Sequence, residues 1–340
     1  MKKLFIVIAL AAIVFGCNQT TEKKTAESKK VKDEVLVKAQ KFFAVLPENA
    51  DNPKNKTTIP KVKLGKKLYN DTRLSLEGKN SCNSCHNLAT YGVDNLPTSP
   101  GDAGNNGTRN SPTVFNAAFH FAQFWDGREP DVEAQAGGPI LNPVEMNIPS
   151  EDFLVKRLSE DQEYRQLFAE AFPDQENPLT FKNITYAIAA FERKLITPSK
   201  FDDYLKGDEN ALNAEEKKGL ETFMKAGCTT CHTGALLGGN MYQKFGLFDD
   251  YWKYTESKEI DEGRMMVTKN EADKYLFKVP SLRNIEKTWP YFHDGSVEKL
   301  DDAVKIMAKV ELNKDLSDKE TKEIVTFLAS LTGNVPAIAK

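Results

Sequence analysis

Four of the five cysteines in this 340-residue chain fall into two C-x-x-C-H units, Cys82-Asn83-Ser84-Cys85-His86 and Cys228-Thr229-Thr230-Cys231-His232. That spacing is the attachment site of a c-type haem, with His86 or His232 holding the iron from one side. Two disulfides, or a redox dithiol, would also use paired cysteines in an exported protein. Neither explains why a histidine follows both pairs when the chain contains only four. Zinc would need further ligands at its usual spacing, and none appear. Two covalent haems are expected. What lies opposite each iron then decides the chemistry.

In the second half, Asp301 to Ala308 reads as a helix and carries Met307. A thioether opposite His232 would raise that haem's reduction potential and block its sixth site, leaving a centre that only passes electrons. Met224, Met241, Met265 and Met266 compete for the role, and Met307 taken alone reads as a core residue. In the first half the equivalent stretch holds Gln135 and Glu145 among prolines and glycines. A carboxylate beside an open iron site could take a proton from one oxygen of bound peroxide and return it to the other. Without the haem, Glu145 would read as a surface carboxylate in a loop.

The elements that must position these groups come in two sets. Pro112 to Asp126 and Pro280 to Asp294 are both fourteen positions, with matching Ser/Thr, Asn, aromatic, Asp and Gly residues after each haem unit. The fold expected is mainly α and loop-rich, with two cytochrome c-like haem domains arising from duplication. Asn213-x-x-Glu216 and Ser317-x-x-Glu320 read as capping boxes, with Gly333 as the stop of the second helix. Ile184, Ile188, Phe191 and Leu195 give a buried helical face ending near Thr197-Pro198. The domains are therefore set at 34–198 and 199–340. Gly101-x-x-Gly104-x-x-Gly107 lacks a preceding strand and reads as a flexible turn, not a phosphate loop.

Lys2 and Lys3, the apolar run Leu4–Phe15 and Gly16-Cys17 form a secretory signal over residues 1–16. Its ending resembles a bacterial lipobox, which would make Cys17 a lipid anchor. Residues 17–33 then read as a flexible tether. The formal net charge of −3, or −5 without Lys2 and Lys3, argues against a nucleic-acid partner.

The two C-x-x-C-H sites, FWDGREPDVEAQAGGPILNPVEM at 124–146 and PYFHDGS…AVKIM at 290–307 together resemble the bacterial dihaem cytochrome c peroxidases over about residues 35–335. The resemblance implies a low-potential peroxidatic haem on Cys82, Cys85 and His86. It implies a high-potential haem on Cys228, Cys231 and His232, with Met307 as axial ligand. Glu145 matches the catalytic glutamate, Gln135 its companion, and Trp125 the tryptophan lying between the haems. It further implies a calcium ion between the domains, with Asn110 giving a side-chain oxygen and Thr288 and Pro290 backbone carbonyls. The substrate implied is hydrogen peroxide, with electrons from a small periplasmic cytochrome c or cupredoxin. Family members are commonly homodimers, but this sequence carries no interface signature.

One departure stands out. Many members close the peroxidatic haem with a histidine from the loop after the first haem motif. Here that loop contains none, and Asp102 stands near the expected place. His120 does not match the ligand position and reads as a satisfied buried histidine. The expectation is a periplasmic peroxidase whose first haem is five-coordinate or weakly water-bound when oxidised. The rivals are a dihaem oxidase of a protein or small-molecule substrate, and a non-catalytic dihaem electron carrier. Met307 argues only against those oxidases that mature a tryptophan-derived cofactor and use a tyrosine in its place. Gln135 and Glu145 argue against the carrier.

Overall fold

The computed structural model describes Met1, residues 33–257 and residues 259–340. The expected signal, Cys17 and the tether up to residue 32 lie outside the described residues. In chain order the helices begin with α1 (Glu34–Ala39), α2 (Ile59–Tyr69) and α3 (Cys82–Cys85). Then come α4 (Val132–Gln135), α5 (Gly137–Leu141), α6 (Glu151–Ser159), α7 (Gln162–Ala171) and α8 (Phe181–Glu192). The second half holds α9 (Lys200–Leu205), α10 (Ala214–Ala226), α11 (Trp252–Thr255) and α12 (Met265–Thr268). It ends with α13 (Leu300–Leu312) and α14 (Asp318–Ala329). Strands β1 (Tyr242–Lys244) and β2 (Leu276–Lys278) pair antiparallel, with Tyr242 opposite Lys278. The molecule is mainly helical, as expected.

Helix starts follow local side-chain chemistry. Thr58 accepts from the N–H of Lys61 at the head of α2, where Pro60 needs no partner. Asn213 and Glu216 cap α10 reciprocally, and Ser317 and Glu320 do the same for α14. Two expected helix ends move. Helix α8 stops at Glu192, so Leu195 and Thr197 lie in the extended chain beyond it. Helix α14 closes through Ser330, and Gly333 is not its stop. Gly333 is instead pressed against Thr197, whose carbonyl oxygen would sit 2.1 Å from an added Cβ.

Helix α2 packs on α8, and α10 packs on α14. Both pairs cross at a glycine. A Cβ on Gly65 would stand 1.9 Å from the Ala187 carbonyl oxygen, and one on Gly219 would stand 2.1 Å from that of Glu323. Only glycine lets the backbones approach so closely. Around the first pair, Leu64, Leu68, Phe168, Ile184, Ile188 and Phe191 form one apolar core. Around the second, Phe201, Tyr204, Leu220, Phe223 and Phe327 form another. Leu36 and Ala39 of α1 belong to this second core, although α1 precedes the first-half helices in sequence.

The two fifteen-residue segments take matching backbone shapes. Asn116 and Asn284 are left-handed at φ 63° and 62°, and Phe124 and Phe292 at 65° and 70°. Both asparagine amides donate to the one hydroxyl of Thr197, at 2.8 and 2.9 Å. Thr197 thus ties both segments to a single point.

Candidate functional site

Helix α3 is short because it serves as an attachment step. Ser81 and Ser84 cap each other at its head, and His86 closes it by donating its N–H to the Cys82 carbonyl at 2.9 Å. The His86 Nδ1 lies 2.9 Å from the Pro112 carbonyl oxygen. A carbonyl only accepts, so Nδ1 carries the proton and Nε2 keeps its lone pair for a metal. His232 repeats this with the Leu237 carbonyl at 2.8 Å. Burial lowers both imidazole pKa values, which favours the neutral, ligating form.

Cys82, Cys85 and His86 line one cavity of about 170 Å³; Cys228, Cys231 and His232 line another of about 250 Å³. None of these four cysteines is paired in a disulfide. Two hollows, each with a thiol pair and an imidazole whose Nε2 is left to ligate, fit a covalently held haem.

The remaining linings differ. Met307 of α13 lines the second cavity with His232. Gln135, at the end of α4, and Glu145 line the first with His86. Asn142 donates its amide to Glu145 Oε1 at 3.1 Å. Burial raises the Glu145 pKa, opposed by the Arg128 charge and the Asn142 hydrogen bond. Arg128 lines the same cavity, stacked over the Phe124 ring with 3.4 Å between guanidinium and centroid. Glu192 lines it too. Burial, with repulsion from Glu133, takes that carboxyl up to about 8 despite Arg193.

Trp125 lines both cavities and fixes its ring by donating Nε1–H to the Asn110 carbonyl at 2.9 Å. Asn110 likewise borders both, while Thr288 and Pro290 border the second. Asp102 does not line the first cavity. Its buried carboxylate accepts from the backbone N–H groups of Glu77 and Lys79, at 2.5 and 3.0 Å. In the glycine-rich loop around it, Gly101 is closely packed while Gly104 and Gly107 face open space. A Cβ on Gly101 would meet the Val144 carbonyl oxygen at 1.8 Å. His120 is not the satisfied histidine expected: its Nδ1 meets Lys278 Nζ at 2.8 Å, but its buried Nε2 has no partner.

Residues 60–210 match the family model described as di-haem cytochrome c peroxidase. The chain is 47% identical over 298 residues to cytochrome c551 peroxidase of Nitrosomonas europaea, covering 87% of this chain and 84% of that protein. The chain belongs to the di-haem cytochrome c peroxidase family. It is an oxidoreductase acting on peroxide, with two haem c groups. Cytochrome c551 peroxidase of Pseudomonas aeruginosa is 45% identical over 305 residues, 88% of this chain and 87% of the relative. A solved MauG-like protein associated with microbial copper homeostasis superimposes at TM-score 0.75. It is 28% identical and covers 87% of this chain and 95% of that one.

Sequence reading alone missed Arg128 and Glu192 in the lining of the first cavity and Asn142 as the hydrogen-bond partner of Glu145. Arg128 follows Asp126-Gly127 directly, and that adjacency was the available signal. Glu192 gave none, because it sits on an otherwise apolar helix face.

Proposed function

We propose that this peroxidase reduces hydrogen peroxide to water in the first cavity, using electrons that enter through the second. The observation carrying this reading is the unlike lining of the two cavities: Glu145 shares one with His86, and Met307 shares the other with His232. Haem iron, when bound, supplies the centre at which the O–O bond is cleaved and the electrons are delivered. The chain's own residues do the proton work. Glu145 accepts the proton from the near oxygen of peroxide and delivers it to the far one, which leaves as water. Two further protons and two electrons balance the reaction to two waters. Asn142 aims the carboxylate, Gln135 orients the peroxide, and Arg128 favours the ionised base.

Met307 would hold the second haem iron together with His232, and that haem would take single electrons from a small cytochrome c or cupredoxin. Trp125 relays them between the cavities. Asn110, Thr288 and Pro290 hold calcium through oxygen donors. Their shared position along the second cavity supports this, as does the Asn110 amide, whose Nδ2 donates to Leu96 and whose Oδ1 accepts no hydrogen bond among the described residues. The enzyme works in the periplasm, anchored through lipidated Cys17. Residues 34–198 and 199–340 descend from one duplicated haem domain, a reading supported by the matched glycine crossings and left-handed asparagines.

The test is steady-state peroxide reduction with reduced cytochrome c. Glu145→Gln should lose about 10²–10⁴-fold in turnover while keeping both haems. Near-normal turnover would remove Glu145 from the mechanism.

A further inference from the structure

Three cationic side chains are buried among the described residues, Arg193, Lys278 and Arg283. Arg193 meets Glu133 at 2.6 Å, and Arg283 donates to Asp202 at 2.8 Å. Lys278 meets no carboxylate among the described residues. Its recorded side-chain partner is His120 Nδ1, at 2.8 Å. An ammonium only donates, so His120 Nδ1 accepts and the ring proton sits on Nε2. That Nε2 is buried without a partner. A lone buried ammonium and an orphaned N–H therefore stand side by side, and both residues line the second cavity. Burying a charge without a counter-charge is strongly unfavourable, so the site calls for an anion with more than one acceptor oxygen.

The occupant of that cavity carries such groups, because each haem c bears two propionate carboxylates. We propose that Lys278 and His120 form an anchor for one propionate of the second haem and hold that edge beside Trp125. The inference rests on the two-haem reading. The placement beside Trp125 follows from the backbone, since the Lys278 N–H donates to the Trp125 carbonyl at 2.7 Å. Burial alone takes the Lys278 ammonium down to about 7. A carboxylate at Nζ restores the charge and uses the protonated form. The strand pairing explains why the lysine stays put: Lys278 lies opposite Tyr242 in the β1–β2 ladder.

A pyridine haemochrome count on the wild-type holoprotein comes first. Two haems per chain uphold the reading beneath the anchor, and any other number removes both. Potentiometric titration of the second haem then tests the anchor itself. Lys278→Met deletes a positive charge and leaves the carboxylate unmatched; both changes favour ferric iron. The reduced-to-oxidised ratio at the wild-type midpoint should fall about tenfold, a downward shift of about 59 mV for one electron. Lys278→Arg keeps the charge and should stay within about 18 mV, a twofold change on the same scale. His120→Phe deletes the Nε2 donor, leaves the lysine, and should shift the midpoint downward by less. It also carries the test where Lys278→Met loses haem. An unmoved midpoint in the haem-loaded Met variant, or in His120→Phe, overturns the anchor.

Discussion

The backbone N–H of Asp102 donates to the carbonyl of Glu145 across 2.7 Å, joining the loop after the first haem motif to the proposed proton carrier. The Asp102 side chain faces away from the cavity and ties down the backbone at Glu77 and Lys79. Asp102 therefore acts here as a brace.

Removing that brace should cost stability before it costs chemistry. Burial works against the Asp102 carboxylate, but the N–H groups of Glu77 and Lys79 hold its pKa below the usual value. A depressed folded pKa means the stabilisation is present above the unfolded value of about 3.9 and is lost as pH falls through the folded one. Asp102→Ala should lower unfolding stability by about 1–3 kcal/mol at pH 7. Its deficit against wild type should shrink in acid. Thermal melts of both proteins at pH 7 and pH 3 provide the comparison.

Asn142 offers a gentler probe of Glu145 than deleting the carboxylate. Its amide stabilises the ionised form from 3.1 Å, so Asn142→Ala should raise the Glu145 pKa further. The base is active when ionised, so the acid limb of the turnover profile should move to higher pH. An acid limb that stays in place would separate it from Glu145.

Met307 should govern potential and not turnover chemistry. Met307→His exchanges a thioether for a more basic nitrogen. The second haem's potential should then fall on the order of 100 mV, within the ~0.8 V range that axial ligands span. Potentiometric titration reads it, and an unchanged value would return Met307 to the core.

The glycine crossing makes a structural prediction. Gly65→Ala would force a methyl against the Ala187 carbonyl and should cost about 1–3 kcal/mol. Gly107 has nothing within 4 Å of an added Cβ, and Gly107→Ala should stay within about 0.5 kcal/mol. Denaturant midpoints of the two variants decide it.

The haem units, the capping boxes of α10 and α14 and the buried face of α8 were legible because each is a local pattern at fixed spacing. Helix ends were less so. Gly333 looked like a stop for α14, but a glycine is also needed where two backbones touch, and sequence does not separate the two uses. Lys278 carried no signal at all. Only the fold brings it to His120, 158 positions away. Asp102 was visible as a departure, while its brace role needed the loop at 75–79 folded against it.

The central claim is that the first haem has an open side facing Glu145 while the second is closed by sulphur. Low-temperature electron paramagnetic resonance of the fully oxidised holoprotein tests it most directly. The account predicts a high-spin ferric signal from the first haem that cyanide converts to low spin, beside one low-spin signal from the second. Two low-spin signals with no high-spin component, unaltered by cyanide, would contradict it.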